Sequence, residues 1–209
     1  MVKNIYIMID IETLSVKSIN QSIIQIGAAV VGGMAGFSNY IGSKEKPMTC
    51  DFDTVQWWMG QSEEARQQVF NPEEKRVKLP HALHNLANFC LWEKHVLVNR
   101  LSPHPSEVGK PQPEVDLYLV GHGFDLTFIK VALEKNNRTL PFHYCNWLDL
   151  RSFEHQAKQK GYEFNIPDVL PKHNAASDAK WQALWLEEYF HEEGIMYYAG
   201  NEKKEVKPA

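Results

Sequence analysis

The chain has 209 residues, a hydrophobic share of 44% and a formal net charge of −4. Its size and composition are those of an ordinary globular domain, and no apolar run reaches the roughly 20 residues that span a membrane. The acidic balance argues against a broad, charge-driven nucleic-acid binder, but it allows an enzyme that holds nucleic acid through metal ions. Three widely spaced cysteines without a C-x-x-C pair argue against a disulfide framework or a zinc ribbon. We expect no secretory signal at the N-terminus, and we therefore predict a cytoplasmic protein.

The first part of the chain predicts three strands. Apolar, β-branched runs occupy residues 5–11 and 22–31, and a third run covers residues 37–41. Gly32 and Gly33 mark the turn between the second and third runs. Short connections favour antiparallel pairing, so the sheet is expected to open as a meander.

Helical patterns follow the meander. Asp53 or Thr54 is expected to cap a short helix. That helix carries two adjacent indole side chains, Trp57 and Trp58. Ser62 is expected to cap the next helix, whose first turn holds two glutamates that favour the positive end of the helix dipole.

Helices and one further strand are predicted through the rest of the chain. The helices are expected over 79–93, 124–135, 148–160 and 175–191, the first of them amphipathic, and the strand over 115–120. A polar connection over 71–78 and a Pro-rich surface loop over 99–114 are expected between these elements. This order predicts one α/β domain with a mixed sheet. We expect that domain to cover residues 1–198 and residues 199–209 to form a flexible tail.

Two carboxylates lie two residues apart at the end of the first strand. Alternate strand positions share a face, so Asp10 and Glu12 are expected to point the same way. Like charges held that close repel each other and resist burial, and a bound cation resolves the conflict. Oxygen ligands suit Mg²⁺ or Mn²⁺. On this motif alone, an ordinary strand end with two surface acids is the alternative.

Two further acids open helices later in the chain. Asp125 follows a strand and a glycine-containing turn, where an acid is either functional or simply a helix cap. Asp178 lies in the first turns of the last helix, and His173 precedes it by five positions on the loop. That spacing also arises by chance, so only the combination of motifs is informative.

In this fixed order, the D-x-E strand, the F-D helix start and the H-x-x-x-x-D segment resemble the DEDDh branch of the DEDD 3′–5′ exonucleases, which have an RNase H-like fold. The resemblance covers residues 5–190 and is closest to the subfamily of the phage T4-type exonuclease A and the mycobacterial exoribonuclease-like proteins. Further matches are I-I-Q-I-G-A at 23–28, the W-W…Q-S-x-x-A-R helix pair at 57–66, and W-L-D-L-R at 147–151. The chain departs from the family in its short G-H-G-F-D turn, where His122 takes a place that is often Asn.

The resemblance implies an RNase H-like mixed sheet, an antiparallel meander followed by parallel strands, flanked by helices. It also implies a metal-dependent 3′–5′ exonuclease that releases 5′-mononucleotides from single-stranded nucleic acid with a free 3′ end. Two Mg²⁺ or Mn²⁺ ions would be held by Asp10, Glu12, Asp125 and Asp178. Asp10 would bridge the ions, Glu12 and Asp178 would bind the nucleophile-side ion, and Asp125 would act on the other. His173 would be the general base, since an ordinary His pKa of about 6.5 suits proton removal near neutral pH.

Several side chains outside the metal ligands are candidate substrate contacts. Thr13 and Leu14 would meet the terminal nucleotide, with Leu14 against the last base. Adjacent helical residues point about 100° apart, so at most one of Trp57 and Trp58 is expected to stack on a base while the other is core. The remaining candidates are Gln61, His122 and Phe124.

The nucleic acid and the assembly are less defined. Recognition of a 2′-OH separates RNA from DNA, and no residue in the sequence reveals that contact. The T4-type resemblance slightly favours DNA, with an exoribonuclease as the alternative, and the mycobacterial resemblance implies a homodimer. A catalytically silent RNase H-like module for binding or assembly is the competing hypothesis, although all five expected catalytic residues are present.

Overall fold

A six-stranded mixed sheet lies at the centre of the computed structural model, which describes residues 3–17, 22–42, 48–71, 75–102, 114–164, 166 and 172–197. Its strands are β1 (Lys3–Thr13), β2 (Ile23–Val30), β3 (Gly36–Ile41), β4 (Arg76–Val77), β5 (Val115–Gly121) and β6 (Trp147–Asp149). They lie in the order β4-β3-β2-β1-β5-β6. β1, β2 and β3 form an antiparallel meander, and β5, β6 and β4 join by parallel pairing. The predicted mixed sheet, an antiparallel meander followed by parallel strands and flanked by helices, is confirmed.

Helices cover both faces of this sheet. They are α1 (Phe52–Met59), α2 (Glu63–Phe70), α3 (Leu79–Leu101), α4 (Gly123–Lys135), α5 (Leu150–Lys160) and α6 (Ala175–Glu192). Buried residues of α3 and α4 share one core with the sheet, and those of α5 and α6 form a second core on the opposite face. Across the described ranges, no helix combines the length and apolarity needed to cross a membrane.

β1 is the central strand and is buried on both faces. Ile5, Ile7 and Ile9 face the core under α3 and α4, whereas Tyr6 and Met8 face the core under α6. Fully burying one such isoleucine contributes about 1.5–3 kcal/mol. The same alternation carries the two acids at the end of β1 onto the α6 face.

α6 begins in direct contact with β2. A Cβ atom on Gly27 would lie 2.1 Å from the carbonyl carbon of Ala175, so only glycine allows this approach. Gly27 pairs in register with Asp10 on β1. Two residues earlier on β2, the Gln25 Oε1 accepts a hydrogen bond from the Ala175 backbone N–H at 3.0 Å. These contacts bring the start of α6 against the sheet beside Asp10.

The helix caps differ in part from the prediction. Asp51, and not Asp53 or Thr54, caps α1, because its carboxylate accepts the Thr54 backbone N–H at 2.9 Å. The predicted Ser62 cap of α2 is confirmed, with its hydroxyl accepting the Ala65 backbone N–H.

Three boundaries also differ. β4 lies within the expected polar connection over 71–78, and β6 occupies the expected start of the helix at 148. Both strands were missed because two or three residues are too few to show the alternation of a strand. α3 continues eight residues past its predicted end at 93 and takes up the first residues of the expected loop over 99–114. Residues 103–113 of that loop and the whole predicted tail at 199–209 lie outside the described residues.

Candidate functional site

Four carboxylates converge where β1, α4 and α6 meet. Asp10 and Glu12 project from the α6 face of β1, whereas Asp125 and Asp178 lie in the first turns of α4 and α6. Carboxylate oxygens of Asp10, Glu12 and Asp178 lie within 4.8 Å of one another. Oxygens of Asp10 and Asp125 form a second group of the same spacing with a ring nitrogen of His122. The structure therefore brings together all four predicted acids and places His122 beside them.

Local hydrogen bonds hold the two later acids at their helix starts. At α4, the Asp125 carboxylate accepts the backbone N–H of the N-cap residue His122, which is one half of a capping box. At α6, the Asp178 carboxylate accepts the backbone N–H groups of His173 and the N-cap residue Asn174. Each acid is thus oriented by the backbone of its own element.

Burial and mutual repulsion make these acids hard to ionise. Burial, followed by the carboxylates of Asp125 and Glu12, holds the pKa of Asp10 well above its usual range. Burial, followed by Asp178 and Asp125, raises the pKa of Glu12 to about 8. Burial raises the pKa of Asp125 to about 7, and it also raises that of Asp178. Clustered, buried oxygen donors that repel one another fit a hard divalent cation, which would stabilise their ionised forms.

Gln182 of α6 holds Asp10 in place, and it is a site residue that was not predicted from the sequence. Its buried side chain donates from Nε2 to Asp10 Oδ1 at 2.8 Å. Its Oε1 is buried and finds no hydrogen-bond partner among the described residues. Gln182 lies four positions after Asp178, hence on the same face of α6. That spacing is the signal from which it could have been predicted.

His173 lies just before α6 in the left-handed region, with φ at 58°. This conformation is uncommon for a residue with a side chain, and such outliers concentrate at functional sites. The ring of His173 makes an edge contact with Trp57 at a centroid distance of 4.9 Å. Its positive charge, when present, opposes the rise in the pKa of Asp178. His173 belongs to neither of the two ligand groups, so it lies beside them as a separate functional candidate.

The two adjacent tryptophans have different environments. Trp57 is 46% exposed, whereas Trp58 is 3% exposed and packs in a small core with Ile24 and Val69. The Trp58 indole Nε1 donates to the backbone carbonyl of Thr13 at 2.9 Å. Trp58 therefore supports the end of β1, and Trp57 offers the more accessible indole ring.

A cleft of about 470 Å³ opens over Asp10, Glu12 and Asp125. Its lining includes the predicted contacts Thr13, Trp57, Trp58, His122 and Phe124. Leu14 and Gln61 do not line it: Leu14 packs on the core beneath α1 and α2, and Gln61 hydrogen-bonds to the α1 backbone.

Two residues of α5 reach the site without having been predicted. Arg151 lines the cleft, and its charge opposes the rise in the pKa of Asp125. The Glu154 Oε1 lies 3.4 Å from the Nε2 of His122. No local sequence pattern links either residue to the acids, because both approach the site only through α5, which follows β6 where that strand pairs with β5.

Comparisons with known proteins identify a family for most of the chain. The model of the 3′–5′ exoribonuclease Rv2179c-like domain matches residues 5–190. Among solved structures, S. pombe Pop2p in its Mg²⁺- and Mn²⁺-bound form is similar at 16% sequence identity and a TM-score of 0.48. The alignment covers 96% of this chain and 87% of that chain. No curated protein matches the sequence.

Proposed function

The chain belongs to the Rv2179c-like family of 3′–5′ exoribonuclease domains, and on this premise we propose that it hydrolyses the terminal phosphodiester of single-stranded nucleic acid at a free 3′ end. The products would be 5′-mononucleotides. The observation that carries the proposal is the clustering of four acids around Asp10, whose carboxylate groups closely with those of Glu12 and Asp178 and, separately, with that of Asp125. Of the five predicted catalytic residues, these four are the acids, and they come from three separate motifs of the sequence.

We propose that these acids hold two divalent ions, Mg²⁺ or Mn²⁺, with Asp10 shared between them. Asp10 belongs to both groups of closely spaced ligand atoms, which supports the shared role. When bound, such ions supply electrostatic stabilisation of the attacking and leaving oxygens. The raised pKa values of the acids support the same proposal, because a cluster that resists ionisation alone is well suited to binding cations.

His173 is proposed as the general base. It lies next to Asp178 but outside the ligand groups, so its ring nitrogen can take a proton from the attacking water. The ring contact with Trp57 supports the imidazole on one side. His173 lies on the loop before α6 with its backbone in the left-handed region, a kind of outlier that concentrates at functional sites, although it is not among the residues that line the cleft.

Substrate contacts are proposed along the cleft wall. The exposed ring of Trp57 is suited to stack on a base, and stacking of this kind is worth about 1–3 kcal/mol per base. Thr13 and Phe124 also line the cleft beside the acids and would meet the terminal nucleotide. Trp58 would act through the carbonyl of Thr13, whose position it holds.

We propose RNA as the preferred substrate. The slight preference for DNA came from the T4-type resemblance alone, whereas the family to which the chain belongs is described as exoribonucleases. The test is digestion of matched 3′-labelled single-stranded RNA, single-stranded DNA and duplexes with Mg²⁺ or Mn²⁺, beside the Asp10→Ala variant. Faster release from RNA, abolished in the variant, is expected. Preference for DNA would reverse the substrate assignment, and no release from either would overturn the proposed function.

The cytoplasmic location and the homodimer remain predictions. The prediction of a cytoplasmic location rests on the sequence, in which three widely spaced cysteines form no C-x-x-C pair. Light scattering of the purified chain measures the assembly directly, and a mass near 24.1 kDa would exclude the dimer.

A further inference from the structure

We propose that the imidazole of His122 is a nitrogen ligand of one divalent ion, together with Asp10 and Asp125, and that this position therefore favours Mn²⁺ over Mg²⁺. The inference rests on the proposed metal-dependent function and adds a ligand to it. A carboxylate-only site would bind both ions through oxygen. One imidazole ligand shifts the preference toward transition ions, because nitrogen donors suit them better than they suit Mg²⁺.

The spacing of the donor atoms supports a shared ion. The His122 Nδ1 lies 3.9 Å from Asp125 Oδ2, and one ring nitrogen lies within 4.8 Å of oxygens from both Asp10 and Asp125. Two ligands at about 2.1 Å from one ion lie roughly 3 to 4.2 Å apart. The 3.9 Å separation falls within this range, and the 4.8 Å bound on the whole group exceeds it only slightly, so a small rotation of the side chains completes the set.

The environment of the other ring nitrogen is the second line of evidence. The His122 Nε2 lies 3.4 Å from Glu154 Oε1, whereas Nδ1 is the ring nitrogen near Asp125. A histidine that binds a metal through one nitrogen usually donates its other N–H to a carboxylate, which orients the ring and selects the tautomer. Glu154 is placed to do this, because its hydrogen bond favours the proton on Nε2 and leaves the lone pair on Nδ1.

The His122 side chain does not cap α4, although His122 is the residue at the N-cap position. It is the N-cap residue of α4, where Ser, Asp or Asn would normally accept a hydrogen bond from the first turn. Its side chain makes no cap hydrogen bond to α4. An imidazole at this position therefore contributes little to the helix, and its contacts are with the two acids and Glu154.

The test is pulsed electron paramagnetic resonance of the full chain loaded with Mn²⁺, which detects coupling of the metal to a ligand nitrogen. We expect nitrogen coupling in the wild type, its loss in His122→Asn, and its persistence in His173→Ala. Asn is a good helix cap, so the His122 variant should fold. His155→Asn, one position along α5 from Glu154, is the matched control and should keep the coupling.

Calorimetric titrations give an independent readout. His122→Asn is expected to weaken Mn²⁺ binding at one site by about 10–100-fold while weakening Mg²⁺ binding less than about threefold. Glu154→Gln is expected to lower Mn²⁺ affinity by about tenfold with nitrogen coupling retained. Absence of nitrogen coupling in the wild type, its persistence in His122→Asn, or equal loss of both ions would overturn the inference.

The outcome for the proposed function is separate. Oxygen-only Mn²⁺ coordination in a protein that degrades RNA would overturn the His122 ligand and leave the exonuclease standing. Nitrogen coupling that depends on His122, in a protein without nuclease activity, would support the ligand and overturn the exonuclease.

Discussion

Replacing Glu12 with Gln should stabilise the metal-free protein at alkaline pH. The pKa of Glu12 is raised from 4.5 to about 8, so the folded state keeps its proton to higher pH than the unfolded state does. The stabilising effect of that proton is complete below about pH 4.5 and is lost as the pH rises through about 8. The amide of the Glu12→Gln variant is neutral at every pH, so the variant should escape this loss.

The size of the effect follows from the same values. One pKa unit corresponds to about 1.4 kcal/mol, so ionising Glu12 in the metal-free fold costs up to roughly 5 kcal/mol. Between pH 5 and pH 8 the wild type should lose roughly 3–4 kcal/mol more stability than Glu12→Gln. The reason is desolvation and repulsion: the ionised carboxylate is buried and faces Asp178 and Asp125.

Urea denaturation in a chelator at pH 5 and pH 8 measures this difference. Addition of Mg²⁺ at pH 8 should restore stability to the wild type and have a smaller effect on Glu12→Gln, since the variant keeps only the ligand group that lacks Glu12. Glu134→Gln removes an exposed carboxylate on α4 and should behave as the wild type does. Equal pH dependence of the wild type and Glu12→Gln would refute the reasoning, as would a variant that is less stable at pH 8.

Three further variants test other parts of the site. His173→Ala should lower turnover by about 10²–10⁴-fold with metal affinity in calorimetry nearly unchanged, and a matching loss of metal affinity would show that His173 is a ligand. Gln182→Leu removes the hydrogen bond to Asp10, so Asp10 becomes harder to ionise and Mg²⁺ binding should require a higher pH. An unchanged pH profile of Mg²⁺ binding would contradict the positioning role of Gln182. Trp57→Ala should raise KM for oligonucleotides by about 5–150-fold and Trp57→Phe by much less, whereas equal effects would argue against stacking.

Long periodic segments could be predicted from the sequence alone. β1 is recognisable because an uninterrupted apolar run of this kind is typical of a strand buried on both faces. The alternation along it also predicted that Asp10 and Glu12 share a face. α6 was predictable for a similar reason, since its apolar positions recur at helical spacing.

Features that depend on tertiary contact could not be predicted in this way. β4 has two residues and exists only because β3 offers a parallel edge for it. Arg151 and Glu154 reach the site through the packing of α5, which no local pattern encodes. Asp51 was missed as a cap because Asp53 and Thr54 are equally good candidates by residue type, and only the hydrogen bond distinguishes them.

The close approach of α6 to β2 at Gly27 has a consequence for how the site can vary. Asp10 lies on β1, whereas Asp178 lies on α6. The distance between these two acids is set where Gly27, which has no side chain, meets the backbone of Ala175. Even one added methyl group at Gly27 would wedge the helix away from the sheet and widen the separation of Asp178 from Asp10. The spacing of the metal-binding acids thus depends on a residue that has no functional group, and a search for reactive side chains would miss it.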